Sequence, residues 1–136
     1  MKEKKITQKS LRTVEWKNNK VVLIDQTKLP NKLVFVEFSD YQKLADAIRN
    51  LVVRGAPAIG VTGAFGLALA ALQSKANTKD ELIEDLVKAK QILISTRPTA
   101  INLKWGLEKI MEVVKRTNDD ISYIKELIIE TAKKMA

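Results

Sequence analysis

The chain has 136 residues, 46% apolar and 29% charged, with a net charge of +8, which is the balance of one globular domain long enough to bury a core. It contains no cysteine and no histidine. Disulfide scaffolding, thiolate metal sites, cysteine nucleophiles, imidazole ligands and a Ser-His-Asp triad are therefore excluded, and no acidic cluster has the spacing of a calcium loop.

The positive charge is concentrated at the front. Residues 1–54 hold 12 Lys/Arg against 6 Asp/Glu, whereas residues 55–136 hold 12 against 10. Residues 1–10 read as a basic tail. Such a tail attracts nucleic acid electrostatically, but no aromatic side chains interleave with its lysines to stack bases, so a solvated tail is the better reading. Basic residues recur as far as Lys20 with no apolar stretch behind them, unlike a secretory signal, and a cytoplasmic location is the expectation.

Residues 11–38 predict an antiparallel meander of about three strands. Thr13–Trp16 and Val21–Ile24 flank the polar turn Lys17-Asn18-Asn19-Lys20, Pro30-Asn31 marks a break, and Leu33–Phe38 supplies the third strand. From Ser39 onward the apolar spacing becomes helical, and residues 39–136 predict a bundle of about five helices. Ser39 with Gln42 fits a capping box ahead of Leu44, Ala47, Ile48, Leu51 and Val52. Gly55-Ala56-Pro57 ends that helix and opens a second, which runs to about Gln73. Thr78 with Glu81 opens a third helix, with Leu82, Leu86, Ala89 and Leu93 on one face. Pro98 is placed at the start of a fourth, carrying Leu103, Leu107, Ile110 and Val114. Asn118-Asp119-Asp120 caps a fifth, with Ile121, Ile124, Leu127, Ile128 and Met135 inward. The fold class is α+β, mostly α, in a single domain over residues 1–136. The last helix is still in phase at Ala136, which suggests a domain cut from a longer polypeptide.

Gly55 to Ser74 is a run of twenty residues without a charge. That length suits a membrane span, but the run is largely alanine and glycine. Gly60, Gly63 and Gly66 each cost about 1 kcal/mol of helix propensity relative to alanine, which a helix accepts when another element must come close. Amphipathic helices on both sides need an apolar partner, so a central core helix is the better reading.

The first turn of that helix has amides without intrahelical acceptors and carries the positive end of the helix dipole. Arg54 stands just before it, and a guanidinium suits two phosphate oxygens at once. An anion there and an arginine merely paired locally or solvated are equally compatible with this motif alone. Thr96-Arg97-Pro98-Thr99 repeats the arrangement, and the pair favours a phosphate ester clamped by Arg54 and Arg97, with Thr96, Thr99 and Asn102 as neutral donors. The carboxylates, including Asp80, Glu81, Glu84, Asp85, Glu108, Glu112, Glu126 and Glu130, read as solvated or dipole-compensating, and Trp16 and Trp105 as packing residues.

The stretches Arg54-Gly55-Ala56-Pro57-Ala58-Ile59-Gly60 and Thr96-Arg97-Pro98-Thr99-Ala100-Ile101-Asn102-Leu103 resemble the N-terminal signature motifs of methylthioribose-1-phosphate isomerases. Leu11–Trp16 and Ile24–Pro30 are similar to the start of that family. The wider family includes ribose-1,5-bisphosphate isomerases and regulatory subunits of a translation-initiation exchange factor. The resemblance implies conversion of 5-methylthioribose 1-phosphate to 5-methylthioribulose 1-phosphate in methionine salvage, without metal or other cofactor. It implies that Arg54, Gly55, Ala56 and Arg97 contact the substrate phosphate. It places the catalytic cysteine and aspartate in a following Rossmann-like domain, so no catalytic residue is expected in this chain, and it implies a homodimer. The rival reading is a non-catalytic regulatory or scaffold domain, with nucleic-acid binding ranked last.

Overall fold

The computed structural model describes residues 13–50, 52–53 and 55–136. The basic tail, Leu11, Arg12, Leu51 and Arg54 lie outside the described residues. Three strands come first: β1 (Val14–Lys17), β2 (Lys20–Ile24) and β3 (Phe35–Phe38). They form one antiparallel sheet in the order β1-β2-β3, the expected meander. Asn18 and Asn19 both have positive φ, 55° and 60°, which is the backbone a two-residue primed turn requires and asparagine tolerates. The register puts Val14, Leu23 and Val36 in one row and Trp16, Val21 and Phe38 in the next. Both rows lie on the side that meets the helices, and Trp16 stacks on Phe65 with ring centroids 5.5 Å apart.

Five helices follow: α1 (Tyr41–Arg49), α2 (Ala56–Gln73), α3 (Lys79–Thr96), α4 (Ile101–Arg116) and α5 (Ile121–Met135). Helical spacing put the correct side chains inward. Leu82, Leu86, Ala89 and Leu93 of α3 are buried, as are Leu103, Leu107, Ile110 and Val114 of α4 and Ile124 and Ile128 of α5. Leu127 and Met135 are only partly buried, and Ala132 continues the α5 face instead. Two helix starts differ from the sequence expectation. The α1 cap is Asp40, not Ser39: its carboxylate accepts from the Gln42 amide, and the chain turns one residue later than the capping-box spacing implied. Helix α1 also stops at Arg49, so Val52 lies beyond it. The fourth helix begins at Ile101, not at Pro98, which sits in the turn between α3 and α4. Proline's fixed φ suits such a turn as well as a first helical turn.

The apolar run is α2, and 12 of its 18 residues are buried. The helix is long and apolar enough to cross a membrane, yet its apolar surface is consumed by the sheet and by the four other helices. Its glycines are places of close approach, as the propensity argument required. A Cβ on Gly66 would stand 2.9 Å from a methyl of Leu93, and one on Gly63 would stand 2.6 Å from a methyl of Leu103. At Gly60 the neighbour is backbone: a Cβ there would stand 2.8 Å from the Asn102 carbonyl oxygen. Gly106 on α4 answers from the other side, since a Cβ on it would collide with the Gly60 carbonyl. Helices α2 and α4 therefore touch backbone to backbone near their N-terminal ends, and α4 is the most extensive neighbour of α2.

Candidate anion-binding cleft

The close crossing of α2 and α4 brings their first turns side by side. Between them, and beneath the α3–α4 turn, lies a cleft of about 280 Å³. It is lined by Gly55, Ala56 and Ile59 from the α2 end and by Arg97, Thr99, Ala100, Ile101 and Asn102 from the other. The two segments are some forty residues apart in the chain, and the crossing at Gly60 and Gly106 unites them.

The helix starts on this cleft differ from the other three. Asp40, Thr78 and Asp120 cap α1, α3 and α5 with side-chain oxygens, which accept from the amides of Gln42, Glu81 and Tyr123 at 2.8, 3.1 and 2.8 Å. Thr78 and Glu81 thus cooperate as expected, although the Glu81 carboxylate accepts from the Asn77 amide. The caps of α2 and α4 are Gly55 and Ala100, and neither offers a side-chain acceptor. The first-turn amides of both helices, with their partial positive charge, are left to whatever occupies the cleft. Gly55 is there for a backbone reason. Its φ of 94° lies in the left-handed region, where a Cβ is strained even though nothing would stand within 4 Å of it.

Arg97 adds a full charge. It is the C-cap of α3, anchored by its backbone: its amide donates to Ile94 and its carbonyl accepts from Ala100. Its Nη1 is buried and has no hydrogen-bond partner among the described residues. A buried guanidinium nitrogen without an acceptor is costly, and native proteins pair such an atom with a water, an ion or a ligand. None of the described residues on the cleft wall is acidic. The arrangement can bind and orient an anion through a guanidinium, two sets of helix N-terminal amides and two neutral side chains. It offers no group of three or more carboxylates to hold a cation among the described residues.

Of the residues the sequence singled out, Gly55, Ala56, Arg97, Thr99 and Asn102 meet at the cleft, and Arg54 lies outside the described residues. Thr96 does not line it. Its hydroxyl is buried in the last turn of α3 and donates to the Leu93 carbonyl at 2.6 Å. Ile59, Ala100 and Ile101 were missed as wall residues, because apolar side chains give no sign of lining an anion site. Trp16 packs as expected, but Trp105 does not join the core: it is 57% exposed, and Ile101, one turn before it, is 81% exposed. The carboxylates expected to be solvated are at the surface, except that Asp85 is half-buried and accepts from the Ser74 hydroxyl at 2.6 Å.

Known proteins share this architecture. The chain is 44% identical over 120 residues to the methylthioribose-1-phosphate isomerase of Geotalea uraniireducens (strain Rf4), covering 88% of this chain and 35% of the relative. It is 48% identical over 126 residues to a protein of Pyrococcus horikoshii named as a putative methylthioribose-1-phosphate isomerase, covering 92% of this chain and 35% of the relative. The chain therefore spans about a third of the length of the curated relatives it matches. Among solved structures, 5-methylthioribose 1-phosphate isomerase from Pyrococcus horikoshii OT3 superposes with a TM-score of 0.86 at 48% identity, over 92% of this chain and 35% of that one. The delta subunit of translation initiation factor eIF-2B from A. fulgidus superposes with a TM-score of 0.85 at 45% identity, over 93% and 36%. The model of the Initiation factor 2 subunit family matches residues 52–136, which hold α2 to α5 and the cleft, and the chain belongs to that family.

Proposed function

We propose that this chain is the substrate-phosphate-binding part of an aldose–ketose isomerase that converts 5-methylthioribose 1-phosphate to 5-methylthioribulose 1-phosphate, a cytoplasmic step of methionine salvage. The observation that carries the reading is that Arg97, whose buried Nη1 has no partner among the described residues, lines the same cleft as the uncapped first turns of α2 and α4. A phosphate ester satisfies all three at once. The names of the relatives supply the sugar. Arg54 joins Arg97 in the clamp, Gly55 and Ala56 present backbone amides, and Thr99 and Asn102 add neutral hydrogen bonds. The acid–base groups come from a further part of a longer polypeptide, which itself forms a homodimer, and no metal or other cofactor takes part.

The test is equilibrium binding of 5-methylthioribose 1-phosphate to the 136-residue chain, beside an isomerase assay on the same sample. Binding without turnover is expected, and the Arg54→Ala, Arg97→Ala double variant is expected to lose the binding. Turnover by the chain alone, or undiminished affinity in the double variant, would sink the reading. The superposition on the eIF-2B delta subunit favours one other reading, a regulatory domain that binds a phosphorylated ligand without converting it. The two separate on the natural polypeptide that carries this chain: the isomerase turns the sugar phosphate over, and the regulator does not.

A further inference from the structure

Helix α3 ends at Thr96, and Arg97 is its C-cap. In a continuing helix the carbonyl of Ile94 would accept from the amide of residue 98. That residue is Pro98, which has no N–H. The Arg97 amide donates to Ile94 instead, at 3.1 Å. It is thereby withdrawn from the Leu93 carbonyl, its regular helical partner. The Thr96 hydroxyl takes its place, donating to Leu93 at 2.6 Å in a buried bond. Proline also disfavours helical backbone at the residue before it, and Arg97 has φ −146° and ψ 73°. The main chain so leaves the helix at Arg97, and Arg97 lines the anion cleft.

The end of α4 meets the same need in another way. Its C-cap, Thr117, turns its amide to Val114, and its own hydroxyl donates to the Val113 carbonyl at 2.7 Å. One residue there closes the helix with backbone and side chain together. In α3 the cap residue is an arginine, and the hydroxyl comes from its neighbour.

We propose that Thr96 is a positioning residue for the anion site: its hydroxyl closes the end of α3 so that the cap position can be given to Arg97. The inference rests on the phosphate reading of the cleft. Thr96 does not line the cleft and acts only through Arg97. Without the hydroxyl, a buried carbonyl lacks a donor, and the remedy at hand is for the Arg97 amide to return to Leu93. That return rotates the peptide plane between Thr96 and Arg97, and with it the direction in which Arg97 leaves the helix.

The experiment measures the affinity of the 136-residue chain for 5-methylthioribose 1-phosphate by nuclear magnetic resonance titration, which keeps weak binding measurable. Thr96→Val preserves shape without the hydroxyl and is expected to lower affinity about tenfold, much of one charge-assisted contact. Thr96→Ser keeps the hydroxyl and is expected to bind within about twofold of the wild type. Thr117→Val removes the matching hydroxyl at the far end of α4, so it should lower the melting temperature comparably and leave affinity unchanged. Added to Arg97→Ala, Thr96→Val is expected to cause no further loss, because the residue it acts through is gone. Pro98→Ala tests the same arrangement should Thr96→Val fail to fold. It gives Ile94 an amide and releases that of Arg97 to Leu93, so affinity is expected to fall about tenfold with no loss of helical circular dichroism. Unchanged affinity in Thr96→Val or Pro98→Ala, an equal loss in Thr117→Val, or a further loss in the Arg97→Ala background would overturn the inference and leave the phosphate reading standing. Insensitivity to Arg97→Ala, or no binding to the wild type, would overturn the phosphate reading and the inference with it.

Discussion

Five helices start among the described residues, and they start in two ways. Helices α1, α3 and α5 carry their own acceptors in Asp40, Thr78 and Asp120, and their first turns are complete without help. Helices α2 and α4 have Gly55 and Ala100 in the same position and complete nothing. Both uncapped starts open on one cleft, and that cleft is also lined by Arg97, whose buried Nη1 has no partner among the described residues. The contrast separates termini built for stability from termini kept open for an anion. Unsatisfied groups scattered over a fold weaken it, whereas the same groups gathered at one cleft define a ligand.

The contrast can be broken most severely at its geometric origin. Gly106→Ala drives a methyl into the Gly60 carbonyl, and since backbone cannot step aside the cost should be about 3 kcal/mol, the upper part of the overpacking range. Denaturant unfolding should show the loss, and phosphate-ester binding should fall with it as the two helix starts separate. Next in size, Arg97→Ala should weaken phosphate-ester binding roughly 10- to 100-fold, the loss of a charge-assisted contact, with thermal stability held or slightly raised. Calorimetric titration beside a melting curve would distinguish this from a fold defect; a lower melting temperature with intact affinity would contradict it.

Two smaller changes exchange the two kinds of terminus. Ala100 already has the extended backbone of a cap, so Ala100→Asp should stabilise α4 by about 1 kcal/mol. The same carboxylate would occupy the anion's place, so affinity should drop as stability rises. Asp120→Ala is the converse at a structural start: it should cost about 1 kcal/mol in unfolding and leave phosphate affinity unchanged. If Asp120→Ala altered affinity as much as Ala100→Asp, the division between the two kinds of helix start would be wrong.

The meander, the number of helices and most of the buried face residues could be read from the chain because each follows a local period. Short apolar runs between polar turns marked the three strands, and 3.6-residue spacing put Leu82, Leu86, Ala89 and Leu93 on one side. The errors fall where local signals permit two answers. Pro98 fits a turn as well as a helix start, and Ser39 and Asp40 are both able to cap. Thr96 sits in the motif beside Arg97, but helix geometry turns it back onto Leu93. Trp105 follows the helix pattern in sequence and faces outward all the same, because α4 spends its buried stripe on Leu103, Leu107 and Ile110.

By itself the amino-acid sequence determined the element order and the central place of the Gly/Ala-rich helix. Charge, period and the absence of cysteine and histidine are properties of residue types, and no folding is needed to count them. Only the tertiary structure decided that the starts of α2 and α4 share a cleft and that Arg97 lines it with a buried Nη1 that has no partner among the described residues. Those facts depend on two glycines, Gly60 and Gly106, meeting across some forty residues of chain. Which backbone a glycine admits is a property of the packed pair and is not written at either position alone.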